Sequence, residues 1–340
     1  MEQHLLTNGP LLNKDGSLME AGYAFSLVKE YNRKAIKGNK TRIKEWDYYY
    51  VGDENYGIAL TIDDNSYMGL VSVSVLDFSK KIESTKSYIF WLPFGETNLP
   101  SSSQTGNTFK EGKKYSMFFG VKNGKRHLCC SMKNVAKKTD FSCDITLEPT
   151  TPHTMVIATP FNKKRRFYYN QKINLMKARG YFKFGSLNYQ FKDKAYGLLD
   201  WGRGMWTYSN TWYWSSLNSE MDGHRVGFNL GYGFGDTSAA SENMLFYDNE
   251  VYKLDDVTFN IPQKDGMDDY LSPWTFTSKK GDINLTFRPI IDRKSDTDAI
   301  LIRSNQHQVF GYFSGTIKAE HKEIKIDNLL GFAEKVKNRW

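Results

Sequence analysis

The chain has 340 residues, enough for two domains at the usual length of about 100–200 residues each. With 40% hydrophobic and 25% charged residues it is no disordered chain, and no run approaches the ~18 uninterrupted apolar residues of a membrane-crossing helix. The net charge of +8 admits an anionic membrane surface, but the lysines are spread along the chain, which argues against nucleic acid. The start, MEQHLLTNGPLL, lacks the basic and apolar regions of a signal peptide, and the three cysteines are odd in number with Cys129 and Cys130 adjacent. A cytoplasmic protein with reduced thiols is the expectation.

In chain order, the best helical candidate is 19–32. The run 56–78 alternates as a hairpin, with Ile58, Leu60 and Ile62 on one face and a turn at Asp63-Asp64-Asn65. Further strand-like runs follow at 88–92, 115–121, 127–132, 141–147 and 155–159, with a hairpin turn at Asn123-Gly124. The basic run Lys163-Lys164-Arg165-Arg166 reads as a linker or loop between two halves, 1–170 and 171–340. The second half repeats the style, with turns at Asp222-Gly223 and Lys280-Gly281 and a short helical turn at 237–242. Short strands without long helical periods predict an all-β chain of two antiparallel barrels with little helix.

Aromatic residues are abundant, at 21 Tyr, 22 Phe and 8 Trp, and point to a cavity with apolar walls and polar tips. The densest stretch, GLLDWGRGMWTYSNTWYWSSL over 197–217, holds Trp201, Trp206, Trp212 and Trp214 beside Asp200 and Arg203. The acid and the arginine form either a charge pair aimed into an aromatic cavity or an ion pair that closes a barrel end. In RVGFNLGYGFGD, 225–236, alternation puts Val226, Phe228, Leu230, Tyr232 and Phe234 on one face, and Asn229 among glycines on the other, where a backbone or a ligand can approach. It is no dinucleotide fingerprint, since Asp236 stands where the third glycine belongs.

The end of the chain, FAEKVKNRW over 332–340, reads as a strand with Glu334 and Asn338 among apolar groups, or as a short helix. A carboxyl so placed has a raised pKa unless paired, which makes it a proton donor. In RIKEWDYYYV, 42–51, Glu45 and Asp47 share a face with Ile43, Tyr49 and Val51, as an acid–base pair or a salt-bridged rim. His307 lies beside a glycine-containing strand, as a site residue or a hydrogen-bonded rim histidine. His127, Cys129, Cys130 and Cys143 lack metal-ligand spacing, and no nucleotide or nucleophile motif occurs, so no metal and no cofactor is expected.

RIKEWDYY, LDWGRGMW, the block GFNLGYGFGDTSAASENMLFYDNEVYKLDDV and the final HQVFGYFSG and GFAEKVKNRW together resemble the family of domain of unknown function 2804, nearly end to end. That family is similar to tandem lipocalin-like (calycin) proteins, among them the carotenoid 1,2-hydratase group. The resemblance implies two lipocalin-like barrels and an apolar ligand. Only Asp200, Trp201 and Gly202 resemble the hydratases' acid before a Trp-Gly pair, and Leu198 and Leu199 stand where a histidine-bearing approach belongs.

The expected function is binding of an isoprenoid-, steroid- or fatty-acyl-like molecule, as a hydratase, isomerase or cyclase working by acid–base chemistry or as a lipid carrier. In the enzyme reading Asp200 or Glu334 donates the proton, Arg203 tunes it and the tryptophans stabilise a cation, with Asn229, Tyr232 and His307 lining the ligand. Asp200 and Glu334 are expected to point into the second barrel, near each other or near Arg203.

Overall fold

The structure, a computed structural model, describes residues 2–299 and 302–340. The chain is all-β: apart from two single 3-10 turns at Arg33–Ala35 and Lys40–Arg42, its regular elements are strands. The first large sheet runs, edge to edge, Ile82–Trp91, Met68–Asp77, Tyr56–Asp64, Ile43–Gly52, Tyr196–Met205, Phe167–Phe184, Thr139–Pro149, Lys125–Ala136, Tyr115–Lys122 and Asn107–Gly112. The second runs Glu250–Lys253, Met244–Tyr247, His224–Tyr232, Ser209–Met221, Lys322–Arg339, Ile302–Ala319, Ile283–Ala299, Trp274–Thr277 and Thr258–Asn260. The strands of both paths pair antiparallel, and each sheet curls around its own core. No helix among the described residues is long and apolar enough to cross a membrane.

The division placed at 170/171 by the sequence falls inside Phe167–Phe184; the chain passes between sheets from Met205 to Ser209. The segment 19–32 forms no helix. Gly22–Ala24 instead pairs with Val156, Ile157 and Ala158 at the first sheet, where tertiary pairing outweighs helical propensity. The segment 237–242 is likewise non-helical, with Ser241 N donating to Gln3 Oε1 at 2.8 Å. The hairpins at Asn123-Gly124 and Asp222-Gly223 form with both residues of each at positive φ, the geometry of a two-residue turn. The first hairpin turns later than expected, at 65–67, because Asp63 and Asp64 pair with Leu70 and Gly69.

The central strands of the first sheet are buried on both faces. In Ile43–Gly52 the odd residues, such as Tyr49 and Val51, enter the first core, while Tyr48 packs with Trp214, Phe310 and Phe332 of the second sheet. Phe167–Phe184 behaves likewise until a bulge between Ile173 and Met176, where Leu175 takes φ 54°. Before it Phe167, Tyr169 and Ile173 face the first core; after it Met176, Ala178 and Phe182 do. The bulged residues reach the second sheet, where Leu175 N donates to Asn218 Oδ1 at 2.7 Å and Asn174 Nδ2 to Ser216 Oγ at 2.9 Å. These bonds offset the roughly 1–2 kcal/mol cost of a leucine in the left-handed region.

The glycine face of His224–Tyr232 admits close neighbours, as its sequence requires. A Cβ on Gly227 would press on Leu175, and one on Gly231 would lie 2.5 Å from Glu242 Oε1. Val226, Phe228 and Leu230 fill the second core with Trp274, Phe276, Phe287 and Phe313. These aromatic residues therefore pack the sheet's own interior, while Trp212, Trp214, Phe310 and Phe332 of the same sheet face the first sheet.

Candidate functional site

A cavity of about 490 Å³ lies between the two sheets. Its aromatic wall joins Trp46 and Tyr168 of the first sheet to Trp206, Trp212, Trp214 and Phe234. The rings meet edge to face: Phe234 stands 4.6 Å from Trp206, 4.7 Å from Tyr168 and 5.2 Å from Trp212, centroid to centroid. Strand alternation builds this wall, since Trp212 and Trp214 lie on the face of Ser209–Met221 opposite Leu217, which enters the second core.

Two polar groups of residues meet in the cavity. From the first sheet, Lys172 Nζ lies 3.1 Å from Asp200 Oδ1, 4.0 Å from Glu242 Oε2 and 3.9 Å from the centroid of a Trp214 ring. Asn170 Nδ2 donates to the same Asp200 oxygen at 2.6 Å. From the second sheet, Glu334 accepts from Trp212 Nε1 at 2.8 Å and from Gln308 Nε2 at 3.1 Å, while Tyr48 OH donates to Gln308 Oε1 at 3.2 Å. Asn229 joins the groups from beneath: its Oδ1 accepts from Trp214 Nε1 at 2.7 Å and its Nδ2 donates to the Glu242 carbonyl at 2.7 Å.

Burial raises the Glu334 carboxyl above its ordinary value; the Trp212 bond and the charges of Arg293 and Lys172 act in the opposite sense. Burial also raises Glu242, against the Lys172 charge, and pushes the Tyr48 hydroxyl up to about 12. At one end of the cavity Asp63 is raised by burial to about 7, and neighbouring Lys44 is lowered by burial to about 7. A carboxyl raised above its ordinary value, held by two donors on an aromatic wall, can serve as a proton donor to an apolar molecule. The flanking ring faces can stabilise a cation formed there.

Of the residues singled out in the sequence, the cavity gathers Asp200, Glu334, Trp206, Trp212 and Trp214, with Asn229 behind Trp214. It does not gather Arg203, whose expected nearness to Asp200 is corrected: Arg203 lies inside the first sheet. There it is fully buried, 3.0 Å from Asp47 Oδ1, bonded to the Trp46 carbonyl at 2.7 Å and stacked on Trp201. Asp200, Trp201 and Arg203 divide between two faces because neighbouring strand residues point opposite ways. Trp201 packs in the first core against Tyr31 and Tyr169. Tyr232 stacks on Tyr213 at 4.4 Å, and His307 stacks on Tyr270 with its Nδ1 2.8 Å from Asp292, both on the second sheet's inner side.

Glu45 and Asp47 do share an inward face, as ion-pair partners of Arg33 and Arg203. Cys130 and Cys143 are buried in the first core, whereas Cys129 sits with His127 and Asp144 on the outside. A second cavity, of about 1110 Å³, lies along the N-terminal segment, and its Glu45 is already engaged by Tyr31 OH at 2.6 Å and by Arg33.

Sequence reasoning missed Lys172, Glu242, Gln308, Tyr48 and Arg293. The signal for Lys172 was present: Tyr168, Asn170 and Lys172 are alternate residues of one strand, opposite Tyr169 and Ile173. Glu242 comes from a loop, where no period marks it.

The fold and cavity define a two-sheet, lipocalin-like β protein with a ligand-sized space between its halves. An AttH protein from Nitrosomonas europaea superposes with a TM-score of 0.55 at 12% identity, covering 90% of this chain and 96% of that one. Kievitone hydratase from Nectria haematococca superposes with a TM-score of 0.50 at 13% identity, covering 87% of this chain and 88% of the other. These likenesses are of fold. No curated protein matches the chain. The family described as Domain of unknown function (DUF2804) matches residues 2–340, and the chain belongs to that family.

Proposed function

We propose that the chain binds a compact apolar organic molecule between its two sheets and protonates it, with Glu334 as the general acid of a hydration, dehydration, isomerisation or cyclisation. The observation that carries this reading is the Glu334 carboxyl itself: half-buried on the wall of a 490 Å³ aromatic cavity, held there by Trp212 and Gln308, and raised by its desolvation. Lys172 between Asp200 and Glu242 fixes the opposite wall, and the rings of Trp212 and Trp214 flank a developing positive charge. Hydratase chemistry, as in the name of the Nectria haematococca protein, is one member of this class.

The test is to extract the ligand that travels with the purified protein, identify it by mass spectrometry, and incubate it with enzyme in deuterated water. The expected result is deuterium uptake or a change of one water in mass with the wild type, and loss of both with Glu334→Gln while the ligand still binds. Binding without either change, in the wild type, favours a carrier. That second reading draws on the mutual pairing of Lys172 and Asp200, which satisfies both groups before any substrate arrives.

A further inference from the structure

The second sheet places a row of cavity-facing residues in direct cross-strand register: Arg293 opposite Gln308, Gln308 opposite Glu334, and Glu334 opposite Trp214. Arg293 is thus two strands from Glu334, about 10 Å at the backbone. Its NH1 donates to Ser74 Oγ of the first sheet at 2.7 Å, and Ser74 in turn contacts Thr85 Oγ1 at 2.8 Å. Ser72 and Ser87 add a second hydroxyl pair beside them, 3.0 Å apart. This end of the cavity is lined by hydroxyls and a guanidinium, in contrast to the tryptophans beyond Glu334.

Arg293 differs from the buried cations Arg203 and Lys172, and of the cations on the cavity only its exposed neighbour Lys294 shares its lack of a carboxylate among the described residues. Arg203 has Asp47 and Lys172 has Asp200, but among the described residues no carboxylate lies within ion-pair distance of Arg293. Guanidinium keeps its charge at any physiological pH and offers five N–H donors in a planar fork that matches an anion. Half-buried, bonded to Ser74 through one nitrogen and 6.0 Å from the Tyr48 ring, the guanidinium keeps further donors for an anionic partner in the cavity.

We propose that the ligand of this cavity is an amphipathic anion, whose carboxylate, sulfonate or phosphate group seats on Arg293 and whose apolar body extends past Glu334 into the tryptophan wall. The inference rests on the cavity being the ligand site, and on no chemistry there. It has a consequence for the acid: the Arg293 charge draws the Glu334 carboxyl downward, so an anion that neutralises Arg293 removes that pull. The head group then favours the protonated acid at the moment the ligand is seated.

The experiment uses two probes of nearly equal shape, 1-anilinonaphthalene-8-sulfonate and neutral N-phenyl-1-naphthylamine. Each is titrated into the full chain at low salt, with energy transfer from tryptophan and mutual competition as the readout. Arg293→Gln is expected to weaken the sulfonate about ten-fold, equivalent to ~1.4 kcal/mol, and to leave the neutral probe within about two-fold. Arg293→Lys should fall between, since it keeps the charge and loses the fork. Unchanged sulfonate affinity in Arg293→Gln, or equal loss of both probes in both variants, overturns the proposal while the ligand cavity stands. Failure of the two probes to compete in the wild type removes the cavity reading and the proposal together. Displacement of the sulfonate by dodecanoate or by dodecyl phosphate identifies the head group, and equal displacement by neutral dodecanol also overturns the inference.

Discussion

Lys172→Met removes the ammonium that lies between two buried carboxylates at the site, Asp200 and Glu242. With an effective dielectric constant of about 20, its gross attraction is about 5 kcal/mol to Asp200 at 3.1 Å and about 4 kcal/mol to Glu242 at 4.0 Å. Desolvation of the ammonium offsets much of this, so the net loss of folding stability near neutral pH should be about 3–5 kcal/mol, the usual cost of stripping one partner from a buried pair. Burial already raises the Glu242 carboxyl in the folded chain, and without the Lys172 charge it holds its proton more tightly still. A raised carboxyl contributes stability below its unfolded value and loses it as pH rises through its folded value, so the deficit must grow with rising pH and shrink as pH falls towards the ordinary carboxyl range. Urea unfolding of both proteins, followed by tryptophan emission at several pH values, measures this. A deficit below ~1 kcal/mol, or one that does not change with pH, refutes the compensating role. Adding Asp200→Asn to the variant should recover part of the loss, as coupled neighbours do.

Glu334→Gln should gain thermal stability relative to the wild type as pH rises, because the native carboxyl is raised by burial and its ionisation is penalised while an amide is not. A melting difference that stays constant from acid to alkaline pH would count against that burial. Arg203→Met should cost about 3–5 kcal/mol in the same unfolding assay by leaving Asp47 uncompensated inside the first sheet. It should leave naphthylamine affinity unchanged, and a selective loss of binding would place Arg203 at the ligand after all. Gly202→Ala sets a methyl group against the Trp46 indole and should weaken the neutral probe by moving that wall, so an unaltered affinity would show that Trp46 does not shape the cavity.

Alternation alone made much of the site legible. It put Glu334 among apolar groups on one face of the last strand, and that strand obeys it, with Phe332 beside Glu334 and Ala333 in the second core; the same period sets Trp212 and Trp214 opposite Leu217. The same rule, applied to Asp200 and Arg203, separates them: residues three apart share a face on a helix but not on a strand. The place of the cavity was harder to read. Both faces of Ile43–Gly52 carry large apolar or aromatic groups, a mark of a strand covered on two sides, and only the second sheet explains why Trp46, Tyr48 and Tyr50 point away from the first core. Glu242 was beyond reach because its position depends on a loop folding over Gly231.

The passage from one sheet to the other between Met205 and Ser209 has a bearing on how the chain is made. Synthesis delivers every strand of the first sheet before any strand of the second. Until then the outer side of that sheet presents Trp46, Tyr48, Tyr50, Tyr168 and Leu198 to water, together with the Lys172–Asp200 pair. A nascent chain stalled near residue 205 would therefore show a sticky aromatic face, a natural target for chaperones and a point of aggregation during slow translation. The residues that join the two sheets in the finished protein are, for that interval, its most vulnerable surface.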